Sequence, residues 1–277
     1  MRFEHVLVVG AGQMGAGIAQ VVAASGRRVS LHDPYPGAVE RALGAMRTSL
    51  AKLAEKGGAD PDETLARVTP VDDLVAADLM IEAINEDAAA KEDVFRRADA
   101  ALPEPAILAS NTSSIPITSL AAATARPDRV IGMHFFNPVP VLRLVEVIRA
   151  VQTSDETTHA VVQLARDLGK EPAEAKDYPG FVSNRILMPY INEAAYALME
   201  GIAEPEAIDT IARLGFAHPM GPLALADLIG LDTCVAIMEV LQTGLGNQKY
   251  APCPLLRQFV QAGRLGRKSG RGFYEYR

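Results

Sequence analysis

The sequence predicts an α/β fold: a doubly wound sheet in the first part of the chain, then a mainly α-helical region. Three observations predict it. Short apolar runs alternate with stretches of helical period up to about residue 168, the pattern of strand–helix–strand units. The first run, Val6-Leu7-Val8-Val9, passes directly into Gly10-Ala11-Gly12-Gln13-Met14-Gly15 and then into an Ala/Ile/Val-rich helical stretch. Beyond Asp177-Tyr178-Pro179-Gly180 the strand-like runs stop. The expected division is a Rossmann-type dinucleotide-binding domain over residues 1–178 and a helical domain over 179–277.

The glycine loop carries weight because of its context. A lone G-x-G-x-x-G is a weak signal, but strand, loop, helix and second strand in succession make a strong one. Gly10 permits the tight turn, Gly12 lets the backbone approach a pyrophosphate, and Gly15 lets helix and strand pack closely. The helix offers its first N–H groups to the phosphates, with Gln13 and Met14 in its opening turn. The second strand, Val29 to His32, ends at Asp33, 18 residues past Gly15. A carboxylate there accepts from the adenosine ribose hydroxyls and repels a 2′-phosphate, which points to NAD over NADP.

After Asp33 helical spacing runs from about Gly37 to Lys56, and Gly57-Gly58-Ala59-Asp60-Pro61 breaks it. A short helix and strand follow to Pro70. Further strands are expected at 79–83, 106–110, 130–136 and 144–148, with helices at 91–102 and 155–168. In the second region helices fit 181–200, kinked at Pro189, then 205–214, 222–241 and 253–263. The tail from Gly266 to Tyr274 reads as a Gly-rich loop.

At 277 residues, 49% hydrophobic and 22% charged, the chain is long enough for two domains with a sizeable core. Its net charge of −7, with no long basic run, argues against a nucleic-acid partner. The first residues lack the features of a secretory signal. No apolar stretch reaches the ~18 residues of a membrane span. A soluble, cytoplasmic protein is expected. Cys234 and Cys253 show no metal-ligand spacing and read as buried thiols.

Among the polar residues His134 stands out, at the C-terminal end of an expected strand, where open α/β sheets bind ligands. Glu146 lies 12 residues on, inside an apolar strand where a carboxylate needs a partner. A turn at Val139-Pro140 and a return strand would make them a base and its orienting carboxylate; a surface histidine and an edge glutamate are the plain alternative. The hydroxyls of Asn111-Thr112-Ser113-Ser114 face the same crevice or cap the next short helix. Asn184 opens the first helix of the second region and faces a cleft or supports the helix start. Ser49, Lys52 and Lys56 share a helix face, either an anion-binding strip or a solvated surface.

Taken together, the chain resembles the short-chain L-3-hydroxyacyl-CoA dehydrogenases. The resemblance rests on VVGAGQMGAGIAQ at 8–20, IEAINED at 81–87, ASNTSSIPITSLA at 109–121 and MHFFNPVPVLRLVEVI at 133–148. It continues through KDYPGFVSNRI at 176–186, HPMGPLALADLIGLD at 218–232 and GRKSGRGFYEY at 266–276. It implies that His134 is the general base held by Glu146, and that Ser113 and Asn184 contact the acyl substrate. It implies NAD contacts at Asp33, Glu86, Lys91, Asn137 and Lys268, beside the glycine loop. It implies CoA contacts at Ser49, Lys56 and Ser113, with no such support for Lys52. A homodimer through the helical domain is implied as well.

The expected activity is NAD-dependent, reversible oxidation of a (3S)-3-hydroxyacyl-CoA, short chains such as 3-hydroxybutyryl-CoA foremost, to the 3-oxoacyl-CoA. Two rivals remain: a dehydrogenase of a free hydroxy acid, such as the lambda-crystallin-like L-gulonate enzymes, and a non-enzymatic NAD-binding structural protein. The presence of Ser113, His134, Glu146 and Asn184 argues against the second. Dehydrogenases that use a catalytic lysine on the interdomain helix fit poorly, since residues 180–200 contain no Lys.

Overall fold

The computed structural model describes residues 3–276. The chain divides between Tyr178 and Pro179 into two compact units.

The first unit is built on one eight-stranded sheet. Its strands are β1 (His5–Val9), β2 (Arg28–His32), β3 (Val68–Pro70), β4 (Leu79–Glu82), β5 (Ile107–Ser110), β6 (Val130–Phe135), β7 (Leu144–Arg149) and β8 (Glu171–Lys176). They lie in the order β3-β2-β1-β4-β5-β6-β7-β8. All neighbours run parallel except β6 and β7, which form an antiparallel pair. From β1 the chain winds outward to β2 and β3, then returns to β4 on the other side of β1. The sheet therefore changes direction between β1 and β4, where α/β folds open a crevice at the carboxyl ends of the strands.

The central strands are mostly apolar because helices cover both faces: every residue of β4, β5 and β6 is buried, the polar Glu82, Ser110 and His134 near their carboxyl ends included. The helices are α1 (Gln13–Ala24), α2 (Ala38–Ala54), α3 (Pro61–Leu65), α4 (Ala88–Ala101), α5 (Ile117–Ala122) and α6 (Asp155–Asp167). Asp60, Asp87 and Ser154 cap α3, α4 and α6 by accepting the N–H of Glu63, Ala90 and Thr157.

Two expectations change here. Strand β8 escapes the sequence pattern: Glu171-Pro172-Ala173-Glu174-Ala175-Lys176 is polar and carries a proline. It pairs on one side only, with β7, and at an edge a proline costs no ladder bond. The helix after Asp33 ends at Ala54, so Lys56 lies in the turn beyond it and not on a shared face with Ser49.

The second unit holds α7 (Ser183–Met199), α8 (Pro205–Gly215), α9 (Pro222–Ile229), α10 (Leu231–Leu245) and α11 (Pro254–Gln261). Helix α7 includes Pro189 within its length. Its core joins Met188, Ile191, Leu223, Leu231, Met238 and Leu256. The single helix expected over 222–241 is two helices. Gly230 separates them at φ 104°, outside the helical region, and a Cβ there would stand 3.0 Å from the Lys268 ammonium. The tail is tied down rather than loose. Asp227, 1% exposed, accepts the N–H of Phe273 and of Tyr274, each at 2.9 Å, and the Tyr276 hydroxyl at 3.0 Å.

Among the described residues no helix is long and apolar enough to cross a membrane, and no group of three His, Cys, Asp or Glu is placed to hold a metal ion.

Candidate active site

The glycine loop sits at the carboxyl end of β1, over the point where the sheet changes direction. Gly10 has φ 102°, and a Cβ on it would approach the Ala83 carbonyl oxygen to 2.5 Å. A Cβ on Gly15 would come within 1.8 Å of the Gly10 carbonyl oxygen, so strand end and helix start touch backbone to backbone. Gly12 differs: nothing lies within 4 Å of a Cβ built there. Two glycines close the turn and the third leaves open space above the first N–H groups of α1, as a dinucleotide pyrophosphate requires. Gln13 and Met14 begin the helix, Gln13 exposed and Met14 half-buried.

Asp33 is fixed to this loop. Its Oδ2 accepts the Ala11 N–H at 2.7 Å and its Oδ1 the Tyr35 N–H at 2.9 Å. A carboxylate has about four lone-pair positions, so both oxygens retain capacity for ribose hydroxyls. A cavity of about 530 Å³ opens beside it, lined by Gly10, Gly12, His32, Asp33, Tyr35 and Arg41 among others. The open Gly12, the acceptor at Asp33 and this cavity fit the adenosine diphosphate half of NAD.

Next along the sheet, the loops after β4 and β5 are joined by one carboxylate. Oε1 of Glu86 accepts from the Thr112 hydroxyl at 2.6 Å, from the Ser113 N–H at 2.9 Å and hydroxyl at 3.2 Å, and from the Ser114 N–H and hydroxyl at 3.0 Å each. Its Oε2 lies 3.4 Å from the Lys91 ammonium. Burial pushes the Glu86 carboxyl up, but the Lys91 charge and the Thr112–Ser114 donors outweigh it and hold it below the usual carboxylate range. Ser113 is half-buried and bonded to Glu86 through both its N–H and its hydroxyl. The helix-capping alternative fails, because α5 begins after Pro116 with no side-chain cap. The Thr112 hydroxyl instead accepts the N–H of Ser114 at 3.3 Å, the bond of an ST-type turn, and that of Ile115 at 2.9 Å.

His134 and Glu146 meet across the antiparallel ladder. Register places His134 of β6 directly opposite Glu146 of β7, and His134 Nδ1 lies 2.8 Å from Glu146 Oε2. They are 8% and 3% exposed. The pairing depends on register, since a one-residue slip would send one side chain to the other face. Bound to a carboxylate, Nδ1 carries the proton, which leaves the ring's basic lone pair on Nε2. Asn111 Oδ1 accepts the Phe135 N–H at 2.9 Å, tying the hydroxyl turn to the strand that bears His134. Asn137 follows β6 and is exposed.

Ser49 is half-buried on α2. Lys56 lines a separate cleft of about 510 Å³ with Arg143, Lys170, Gly57 and Asp167. Lys170 is buried, and its ammonium donates to the carbonyls of Val139 and Leu142, the latter at 2.8 Å. In the helical unit, Asn184 is buried in the first turn of α7, and the Lys268 ammonium pairs with Asp232 at 2.6 Å.

Sequence reasoning passed over Glu82. It closes the apolar strand β4, is 0% exposed, and pairs with Lys91 at 2.6 Å. The available signal was the one used for Glu146, a carboxylate inside an apolar run. Ser110, the last residue of β5 and also 0% exposed, donates to Glu82 Oε2 at 2.5 Å.

Comparison with known proteins bears on what this arrangement serves. Residues 5–178 match the NAD binding domain of 3-hydroxyacyl-CoA dehydrogenase, and residues 180–276 match the C-terminal domain of the same family. The chain belongs to the 3-hydroxyacyl-CoA dehydrogenase family. It is 55% identical to a probable 3-hydroxybutyryl-CoA dehydrogenase of Bacillus subtilis, across 100% of this chain and 98% of the relative. It is 58% identical to a protein of the same description from Deinococcus radiodurans, across 97% of this chain and 99% of that one. The crystal structure of (S)-3-hydroxybutyryl-CoA dehydrogenase from Ralstonia eutropha superposes with a TM-score of 0.96 at 50% identity, each chain covered completely. A 3-hydroxyacyl-CoA dehydrogenase fold with an NAD-binding first domain is thus established.

Proposed function

We propose that the chain catalyses the reversible, NAD-dependent oxidation of (3S)-3-hydroxyacyl-CoA to 3-oxoacyl-CoA, with short chains, 3-hydroxybutyryl-CoA foremost, as its substrates. The observation that carries this reading is the buried His134–Glu146 pair at the crevice end of the sheet. Bound NAD supplies the hydride acceptor for C3. As the C3–O double bond forms, Nε2 of His134 receives the hydroxyl proton, and the imidazolium that results is stabilised by Glu146 Oε2. In the reverse direction the same nitrogen returns the proton to the nascent alkoxide.

Ser113, held in its turn by Glu86, contacts the acyl group. For Asn184 and Lys268, which lie in the helical unit, the support is the family resemblance, which assigns them to the acyl group and to NAD. Asp33 takes the adenosine ribose, and for Asn137, Glu86 and Lys91 as NAD contacts the support is again the family resemblance. The CoA phosphates are drawn to Lys56 with Ser49. For this assignment the support is the family resemblance: in the cleft that Lys56 lines, Arg143 pairs with Glu171 at 2.5 Å and the Lys170 ammonium is bonded to backbone carbonyls. A homodimer formed through the helical domain, and a cytoplasmic enzyme, complete the proposal.

Steady-state assays test it: kcat/KM with NAD for four-carbon to sixteen-carbon 3-hydroxyacyl-CoAs, beside L-gulonate. The expected result is highest efficiency on the four-carbon ester and no turnover of L-gulonate. A preference for the free acid would overturn the reading.

A further inference from the structure

The carboxylate of Glu82 takes no part in the proton or hydride chemistry, yet it is held at the crevice end of the central strand β4 among buried polar groups. A lysine ammonium with 1% exposure is costly unless paired. Lys91 is satisfied on three sides, matching its three donors: Glu82 Oε1 at 2.6 Å, the Ile84 carbonyl at 3.3 Å and Glu86 Oε2 at 3.4 Å. Glu82 is itself engaged through both oxygens. Its Oε1 also accepts the Ile84 N–H at 2.6 Å, and its Oε2 accepts the Ser110 hydroxyl. The Ser110 hydroxyl oxygen in turn accepts the Thr112 N–H at 3.1 Å.

These bonds close a ring. Lys91 leads to Glu82, Glu82 to Ser110, Ser110 to Thr112, Thr112 to Glu86, and Glu86 back to Lys91. The ring joins the loop after β4 to the loop after β5, and Glu86 within it accepts from the Thr112 hydroxyl and from the N–H and hydroxyl groups of Ser113 and Ser114. Mere stability gives little reason for it, because replacing a buried ion pair with apolar groups is often neutral or stabilising. What the ring fixes is direction: it determines where Glu86 stands and hence where the Ser113 hydroxyl points.

We propose that Glu82 is a positioning residue: through Lys91 and Ser110 it holds Glu86 and the Thr112–Ser114 turn in the geometry that presents Ser113 to the acyl substrate. Only the last clause rests on the hydroxyacyl-CoA reading. Glu82→Gln removes the charge and keeps the shape. Lys91 then has one carboxylate left, draws Glu86 toward itself, and the turn loses its common acceptor.

Hydrogen exchange tests this without reference to activity. In Glu82→Gln the amides of Ser113 and Ser114, which donate to Glu86, should lose about tenfold or more of their protection, while amides in β1 and β4 keep theirs. Unchanged protection at the turn, or a uniform loss across the sheet, overturns the proposal. A second arm uses acetoacetyl-CoA and NADH. Ser113→Ala should cost much less in the Glu82→Gln background than in the wild type, as expected for groups acting as one unit; additive losses overturn the proposal. A wild type that fails to reduce acetoacetyl-CoA overturns the proposed function, and the exchange result then still decides the ring. If Glu82→Gln does not fold, Ser110→Ala, which cuts the ring at Thr112, takes its place in both arms with the same outcomes.

Discussion

Replacing Glu146 by glutamine isolates the charge behind His134. The side chain keeps its length, and its backbone is held on both sides, by His134 of β6 and Ala173 of β8, so the strand should stay in place. What changes is the partner of Nδ1. A hydrogen bond to a charged group is worth about 1.5–3 kcal/mol, against ~1 for a neutral one. Both groups are buried, at 8% and 3% exposure, so solvent screens little of that difference. The imidazolium forms only as the hydroxyl proton arrives, so the loss falls on the transition state and hence on kcat. At about 1.36 kcal/mol per decade that difference, about 0.5–2 kcal/mol, is a fall of roughly two- to thirty-fold. An amide also offers N–H. If that face turns to the ring, Nδ1 must accept, the proton moves to Nε2, and the base is blocked; the loss then rises toward ~10⁴. The assay is steady-state kcat and KM with (3S)-3-hydroxybutyryl-CoA and NAD, together with NADH affinity by fluorescence. Turnover equal to that of the wild type would refute the orienting role.

Other outcomes follow from the remaining site residues. Asp33→Ala should raise the KM for NAD and narrow the preference over NADP, measured as the ratio of kcat/KM values; a wild type that prefers NADP contradicts the assignment. Lys56→Ala should raise the KM for acetoacetyl-CoA by on the order of tenfold or less at low salt, with a smaller effect on a pantetheine thioester that lacks the nucleotide phosphates. Equal penalties on both substrates would mean that Lys56 acts through the fold. The Cys234 thiol is pushed up to about 12, by burial first and then by Asp232 and Asp227, and burial also raises Cys253. Both should stay protonated and resist iodoacetamide at pH 8 in the native protein, reacting only on unfolding; rapid native labelling, read by mass spectrometry, would contradict their burial.

The sequence by itself determined the class of the fold and the order of its elements, because the signals are local. Gly10, Gly12 and Gly15 carry their meaning within six residues, and Asp33 takes its own from ending the next strand. The apolar runs of β1, β4, β5 and β6 read as buried parallel strands since both of their faces are covered. Where side chains lack such a period the reading failed: β8, polar and proline-bearing, exists because β7 offers it an edge. The break at Gly230 was hidden inside a continuous apolar pattern and appears only because α9 and α10 part there, beside Lys268. Only the tertiary structure decided which polar groups meet. His134 and Glu146 are 12 residues apart, and antiparallel register sets them opposite one another. Glu82, Lys91, Ser110 and Glu86 come from two strand ends, a loop and a helix, and nothing in their spacing announces a ring. Hydrophobic period is written along the chain, whereas the pairing of buried charges depends on which strand ends the sheet brings side by side.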